Sequence, residues 1–236
     1  MSEDEQELDY EQFAQQAIAV LERKPGAAVT LANLFGQSFW VRSFAEVVSG
    51  AQANDLHRLE LVLTAVAEAS SAARITLACD FANRVLPVFE VERPSDVRPR
   101  SAIAAGRQAL TVGFSDSELT TIALGAWNAA EAVLPVERRS RVLGRDVPGV
   151  RANAAALAAY YAAHAADGVA TGCLSAGAAH ARRAQPGELP WQVERVKLVL
   201  AKLRSNGLWN PIPRRRRILA PHPLDDGSIK NECQHS

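Results

Sequence analysis

The chain has 236 residues, about one and a half times the usual domain length, which fits one domain with extensions or two small ones. Apolar residues make up 48% and charged residues 22%, with 14 glycines and 12 prolines, so collagen-like and low-complexity classes are excluded and a core can form. Twenty-six basic residues balance 26 acidic ones, and a net charge of zero argues against wholesale capture of nucleic acid or of an anionic membrane.

About 43 residues are alanine, the residue that loses no side-chain entropy in a helix, and the expected fold is an all-α, Ala-rich helical bundle. The acidic stretch Met1 to Asp9 lacks the basic and apolar regions of a signal peptide and is expected to be a short disordered terminus, which points to a cytoplasmic chain. Phe13, Ala17, Val20 and Leu21 then share one helical face, stopped by Pro25-Gly26. A short segment at 30–35 precedes a helix over 39–49, which Gly50 is expected to close in the left-handed conformation. Asn54 or Asp55 caps the next helix, with Leu56, Leu59, Leu63 and Val66 as its stripe.

A helix over 73–86 carries Ile75, Cys79, Ala82 and Leu86, and Pro87 is expected to kink or end it. After a turn at 93–96, Pro99 suits the first turn of a new helix and favours an extended Arg98 before it, while Ile103 and Leu110 face the core. Ser115 and Glu118 form a capping-box pattern for a helix reaching Val133. The segment 135–150, with Arg138, Arg139, Arg141, Gly144 and Pro148, reads as a linker or insertion. The Ala-rich region 151–184 forms one helix or two, with Gly168, Gly172 and Gly177 permitting close approach of a neighbour. Pro190 opens a last helix striped by Val193, Val196, Leu200 and Leu203 and stopped by Gly207. The organisation expected is a helical extension over 1–70, which either stands apart or completes the same core, a helical domain over 71–207, and a Pro- and Arg-rich extended tail over 208–236 that includes Arg214 to Arg217.

Chemistry-bearing motifs are sparse. Cys79, Cys173 and Cys233 form no C-x-x-C pair and read as reduced thiols. His164 and Asp167 share a helical face, yet on one continuous helix Cys173 would be turned about 180° from His164, so no metal site is expected. Gly172-Cys-Leu-Ser175-Ala-Gly177 is one residue too long for a nucleophile elbow, and no phosphate loop occurs, so no cofactor and no catalytic residue are expected.

The densest stretch is Arg84-Val-Leu-Pro87-Val-Phe89-Glu90, Pro94-Ser-Asp96-Val-Arg98-Pro99-Arg100-Ser-Ala-Ile103 and Arg107. Arg100 near a helix N-terminus opposes the macrodipole and needs a compensating acid such as Glu90, Glu92 or Asp96. Arg84, Glu90, Asp96, Arg98, Arg100 and Arg107 are therefore the candidate site, as a buried ion-pair network locking two helices or as a partner-binding surface. A charged pocket in a small-molecule-binding or enzymatic helical domain is a further reading, and a nucleic-acid role through the Arg-rich segments another, although nucleic acid is disfavoured as a partner.

At these residues the sequence resembles a family of helical immunity proteins from bacterial polymorphic-toxin systems, marked by a pattern close to C-A-x-R-V-L-P-x-F-E, P-x-D-x-R-P-R-x-A-I and A-x-R. The match is dense from Cys79 to Arg107 and continues more weakly through Gly168-Val-Ala-Thr171 to Trp191-Gln192 and Arg195. The resemblance implies a non-enzymatic protein that binds and blocks a cognate protein toxin; the cytoplasmic location and the absence of a membrane partner are expected from the composition and the N-terminal residues.

Overall fold

The computed structural model describes residues 9–206 apart from 37, 51–52, 113, 135–147 and 167–171, together with the backbone but not the side chains of 148 and 203–206. The expectations for the acidic start, the Arg-rich part of 135–150, Gly168, Asp167, Cys233 and the tail lie outside the described residues. Among those described the fold is all-α, without strands. The helices are α1 (Tyr10–Leu21), α2 (Ala27–Leu34), α3 (Phe39–Ser49), α4 (Asp55–Ala69), α5 (Ser71–Glu92), α6 (Arg98–Gln108), α7 (Asp116–Val133), α8 (Pro148–His164), α9 (Cys173–Ala184) and α10 (Glu188–Asn206). No described helix is long and apolar enough to cross a membrane.

Side-chain caps set several boundaries. Asp9 accepts from the backbone N–H groups of Glu11 and Gln12, Asn54 forms a capping box with His57, and Ser115 forms the expected box with Glu118. Ser70 is at once the last residue after α4 and the cap of α5, its Oγ accepting from Ala73 N at 3.2 Å, so two helices join without a loop. Gly26 takes φ +75° at the α1–α2 turn, whereas Gly50 is extended at φ −75°, so the left-handed cap expected there does not form.

α8 is the central element, packed against α5, α6, α7 and α9. Its run Ala154 to Ala159 is buried on every side, as befits a helix that touches others all round. Small side chains bring backbones close, and the closest approach lies at Gly106 of α6, where a Cβ would stand 2.9 Å from Ala162 O and from Cys79 Sγ. The buried side chains of α1 to α4 and those of α5 to α10 belong to one continuous hydrophobic cluster running from Phe13 to Leu200.

Four further local expectations are corrected. α5 does not end at Pro87 but runs on to Glu92, since Asn83, four residues before it, and Pro87 itself lie on the exposed face while Val85, Leu86 and Phe89 anchor the helix in the core. Arg98 is the first residue of α6 rather than extended; Asp96 accepts from Arg98 N at 3.2 Å and holds the turn helical. Leu110 follows the end of α6 and stands exposed. Leu56 is partly exposed, and α4 instead buries Leu61, Val62 and Ala65 beside Leu59, Leu63 and Val66, since it is covered on two sides by α1 and α3 and by α5 and α9.

Burial pushes the Cys79 thiol up from its ordinary value of 9.0 to about 12. Below about pH 9 the thiol is protonated in both folded and unfolded chains and contributes no pH dependence; from there to about pH 12 the unfolded chain releases the proton first, so stability falls as pH rises. The urea midpoint of the wild type is expected to fall faster between pH 8 and 10.5 than that of Cys79→Ala. Parallel pH profiles in the two proteins would contradict a buried, inert thiol.

Candidate functional site

The six charged residues singled out in the sequence divide into two places along α5. At its C-terminal end, Glu90 of α5 accepts from Arg100 Nε at 3.0 Å and Nη2 at 2.6 Å, so Glu90 is the acid that compensates Arg100. Asp96 accepts from Arg98 Nε at 2.8 Å and Nη2 at 2.6 Å, and this guanidinium holds its carboxyl below the usual range. These are two separate pairs, not a buried network. The Arg100 side chain is 66% exposed and Glu90 29%, so the large cost of stranding a buried acid does not apply, and the pair is worth about 1 kcal/mol or less.

The corner between α5 and α6 is nevertheless firmly held. Phe89 and Pro99 are buried on its two sides, and Arg93 Nη2 donates to Ala132 O at 2.8 Å in the last turn of α7, where a cation also suits the helix dipole. Arg98 lies over α7 with its Cβ 3.9 Å from where a Cβ on Gly125 would stand. From this corner Val91 and Val97 project outward, 80% and 61% exposed.

The other two residues, Arg84 and Arg107, belong to a seam between α5, α6 and α10 that the sequence reading did not assemble. Asp80 accepts from Arg195 Nε at 2.8 Å and Nη2 at 2.6 Å through one oxygen, and from Arg107 Nη2 at 3.4 Å through the other. One turn along α5, Arg84 Nε donates to Glu188 Oε1 at 3.3 Å, and its guanidinium lies 5.3 Å from the Trp191 ring centroid. Trp191 in turn meets Phe81 edge-on at 6.2 Å. Glu188 is almost wholly buried, and its Oε2 has no donor among the described residues. The spacing carried a signal: Asp80 and Arg84 stand at i, i+4, and Glu188, Trp191 and Arg195 at i, i+3, i+7, so each set shares a helix face.

One turn after Glu188 on α10, Gln192 is fully buried and donates to Ala178 O at 3.0 Å, while accepting from Arg182 at 2.9 Å. Arg182 also donates to Glu60 Oε1 at 2.6 Å, linking α4, α9 and α10. Arg74, likewise buried, donates to Ala165 O at 2.9 Å and Ala67 O at 3.1 Å and so satisfies carbonyls at the ends of α8 and α4. Neither arginine was singled out from the sequence, since a basic residue in an Ala-rich helix carries no sign of what lies across from it.

The histidines of the Ala-rich region stand on two helices rather than one, because the chain leaves the helix after His164 and starts α9 at Cys173. The angular separation expected on a continuous helix therefore does not hold. His164 meets Tyr160 edge-on at 4.6 Å, and His180 stacks on Tyr161 at 5.4 Å. No group of three or more His, Cys, Asp or Glu placed to hold a metal occurs among the described residues.

No protein-family model, no curated protein and no solved structure matches the chain.

Proposed function

We propose that this chain is a non-enzymatic cytoplasmic binding protein that neutralises a cognate protein toxin through the α5–α6 corner. The observation that carries the reading is the corner itself: Val91 and Val97, next in sequence to Glu90 and to Asp96 and Arg98, stand exposed where the Asp96–Arg98 and Glu90–Arg100 pairs form, on backbone fixed by Phe89, Pro99 and Arg93. Arginine is among the residues enriched at binding hot spots, and Arg98 and Arg100 beside the exposed Val97 and Val91 offer a partner apolar surface to desolvate with a charged rim to set orientation. A partner meeting this corner finds side chains already ordered by their own ion pairs, which lowers the entropic cost of association. The resemblance to immunity proteins rests on these same residues and supplies the class of partner.

Val97→Asp and Arg98→Glu are expected to weaken capture of a toxin encoded beside this chain's gene by about tenfold each, roughly 1.4 kcal/mol, with Val97→Asp melting within about 2 °C of wild type and Arg98→Glu staying folded but melting lower, since it sets a second carboxylate beside Asp96. Calorimetry with the purified toxin, and survival of toxin-exposed cells expressing each variant, read the effect. Undiminished affinity and protection in both variants would remove the corner from the interface.

A further inference from the structure

We infer that the α5–α10 seam is a second recognition surface, built to receive carboxylate side chains of an acidic peptide segment on a partner protein. The inference rests on the reading of the chain as a binding protein and concerns other residues than those of the corner, nearer the middle of α5. Three guanidiniums, those of Arg84, Arg107 and Arg195, meet here against two carboxylates, Asp80 and Glu188, which leaves the strip positively charged. Each arginine is part-exposed and keeps donors with no acceptor among the described residues: both Nη groups of Arg84, Nε and Nη1 of Arg107, and Nη1 of Arg195.

Their positions are already fixed. Asp80 orders two of the guanidiniums and the Trp191 ring supports the third, so the rotamer freedom that long side chains ordinarily lose on binding is largely lost beforehand. Arg84 is also prevented from leaving, because Glu188 is buried with Oε2 unpaired and Arg84 as the donor to its other oxygen. The incoming group must therefore come to the arginine. A planar carboxylate matches the free edge of a guanidinium. The two carboxylates interleaved with the arginines favour separated acidic side chains over a nucleic-acid backbone, whose continuous phosphates would be set against Asp80.

The test titrates a fluorescein-labelled hexaglutamate peptide, and separately a short oligo-dT strand, into the full-length protein at low salt, followed by fluorescence anisotropy. Saturable peptide binding is expected, weakened about tenfold in Arg107→Glu and strengthened about threefold in Asp80→Asn, which removes a carboxylate that repels the peptide while its amide oxygen can still accept from the arginines. Arg107→Gln, milder at a half-exposed site, is expected to weaken binding in the same direction should the charge reversal perturb folding. An absence of saturable peptide binding overturns the proposal, as do equal affinities in wild type, Arg107→Gln and Asp80→Asn. Tighter, Arg107-dependent binding of oligo-dT overturns the acidic-peptide assignment in favour of a polyanion. Val97→Asp should leave peptide affinity unchanged, so failure of the seam with intact toxin capture removes this surface alone, and peptide binding without toxin capture removes the corner alone.

Discussion

Gly106→Val is expected to destabilise the fold by about 3 kcal/mol, a fall in melting temperature of roughly 6–12 °C for a chain of this size. The added Cβ would stand 2.9 Å from the backbone carbonyl of Ala162 and 2.9 Å from the buried Cys79 sulfur, and neither can give way freely. Ala162 O belongs to the central helix α8, and the Cys79 thiol is itself held against Ile103 O at 3.7 Å. Relief would require α6 to slide off α8. Gly106→Ala is the sharper comparison. In an exposed helix that change stabilises by about 1 kcal/mol through propensity, so a net loss of stability here isolates the contact from the backbone effect. Thermal unfolding followed by circular dichroism reads both variants, and a Gly106→Ala protein melting at or above wild type would show that α6 and α8 can separate without cost.

Arg182→Ala should cost about 3 kcal/mol, at the lower end of the range for breaking a buried pair because both partners keep 18% of their side-chain surface exposed. The loss has two parts. Glu60 is left as a largely buried carboxylate without the guanidinium 2.6 Å away, and the oxygen of Gln192 loses its donor at 2.9 Å within a fully buried side chain. The two can be separated by a double-mutant cycle. Glu60→Leu in the Arg182→Ala background removes the stranded charge and is expected to recover more than half of the lost stability in urea denaturation. Equal midpoints for the single and the double variant would show that the cost comes from packing and not from the charge.

Much of the fold was legible in the chain because helix formation is a local matter. The apolar stripe Phe13, Ala17, Val20 and Leu21 is buried as its spacing required. The 39–49 helix and the Ser115–Glu118 capping box stand where the residue types placed them, since a side chain that reaches its own backbone depends on nothing distant. Of the kink or end expected at Pro87, the end does not occur: proline removes one donor wherever it stands, but whether the helix goes on depends on what holds the residues beyond it, and here Phe89 is buried while Pro87 faces outward.

The candidate site divided along the same line. Composition and spacing were enough for an all-helical chain, and the charge rule at a helix N-terminus was enough to require an acid for Arg100. That Glu90 is this acid, that the pair lies at the surface, and that Asp80 and Glu188 draw Arg84, Arg107 and Arg195 to one seam were settled by the packing of α5 against α6 and α10. Asp80 and Arg195 are 115 positions apart and Arg84 and Glu188 are 104 apart, and no local periodicity encodes a pairing across such distances. Local sequence fixes backbone hydrogen bonds and the face of each helix, whereas burial and ion pairing depend on which faces meet, and that follows from the closure of the whole core around α8.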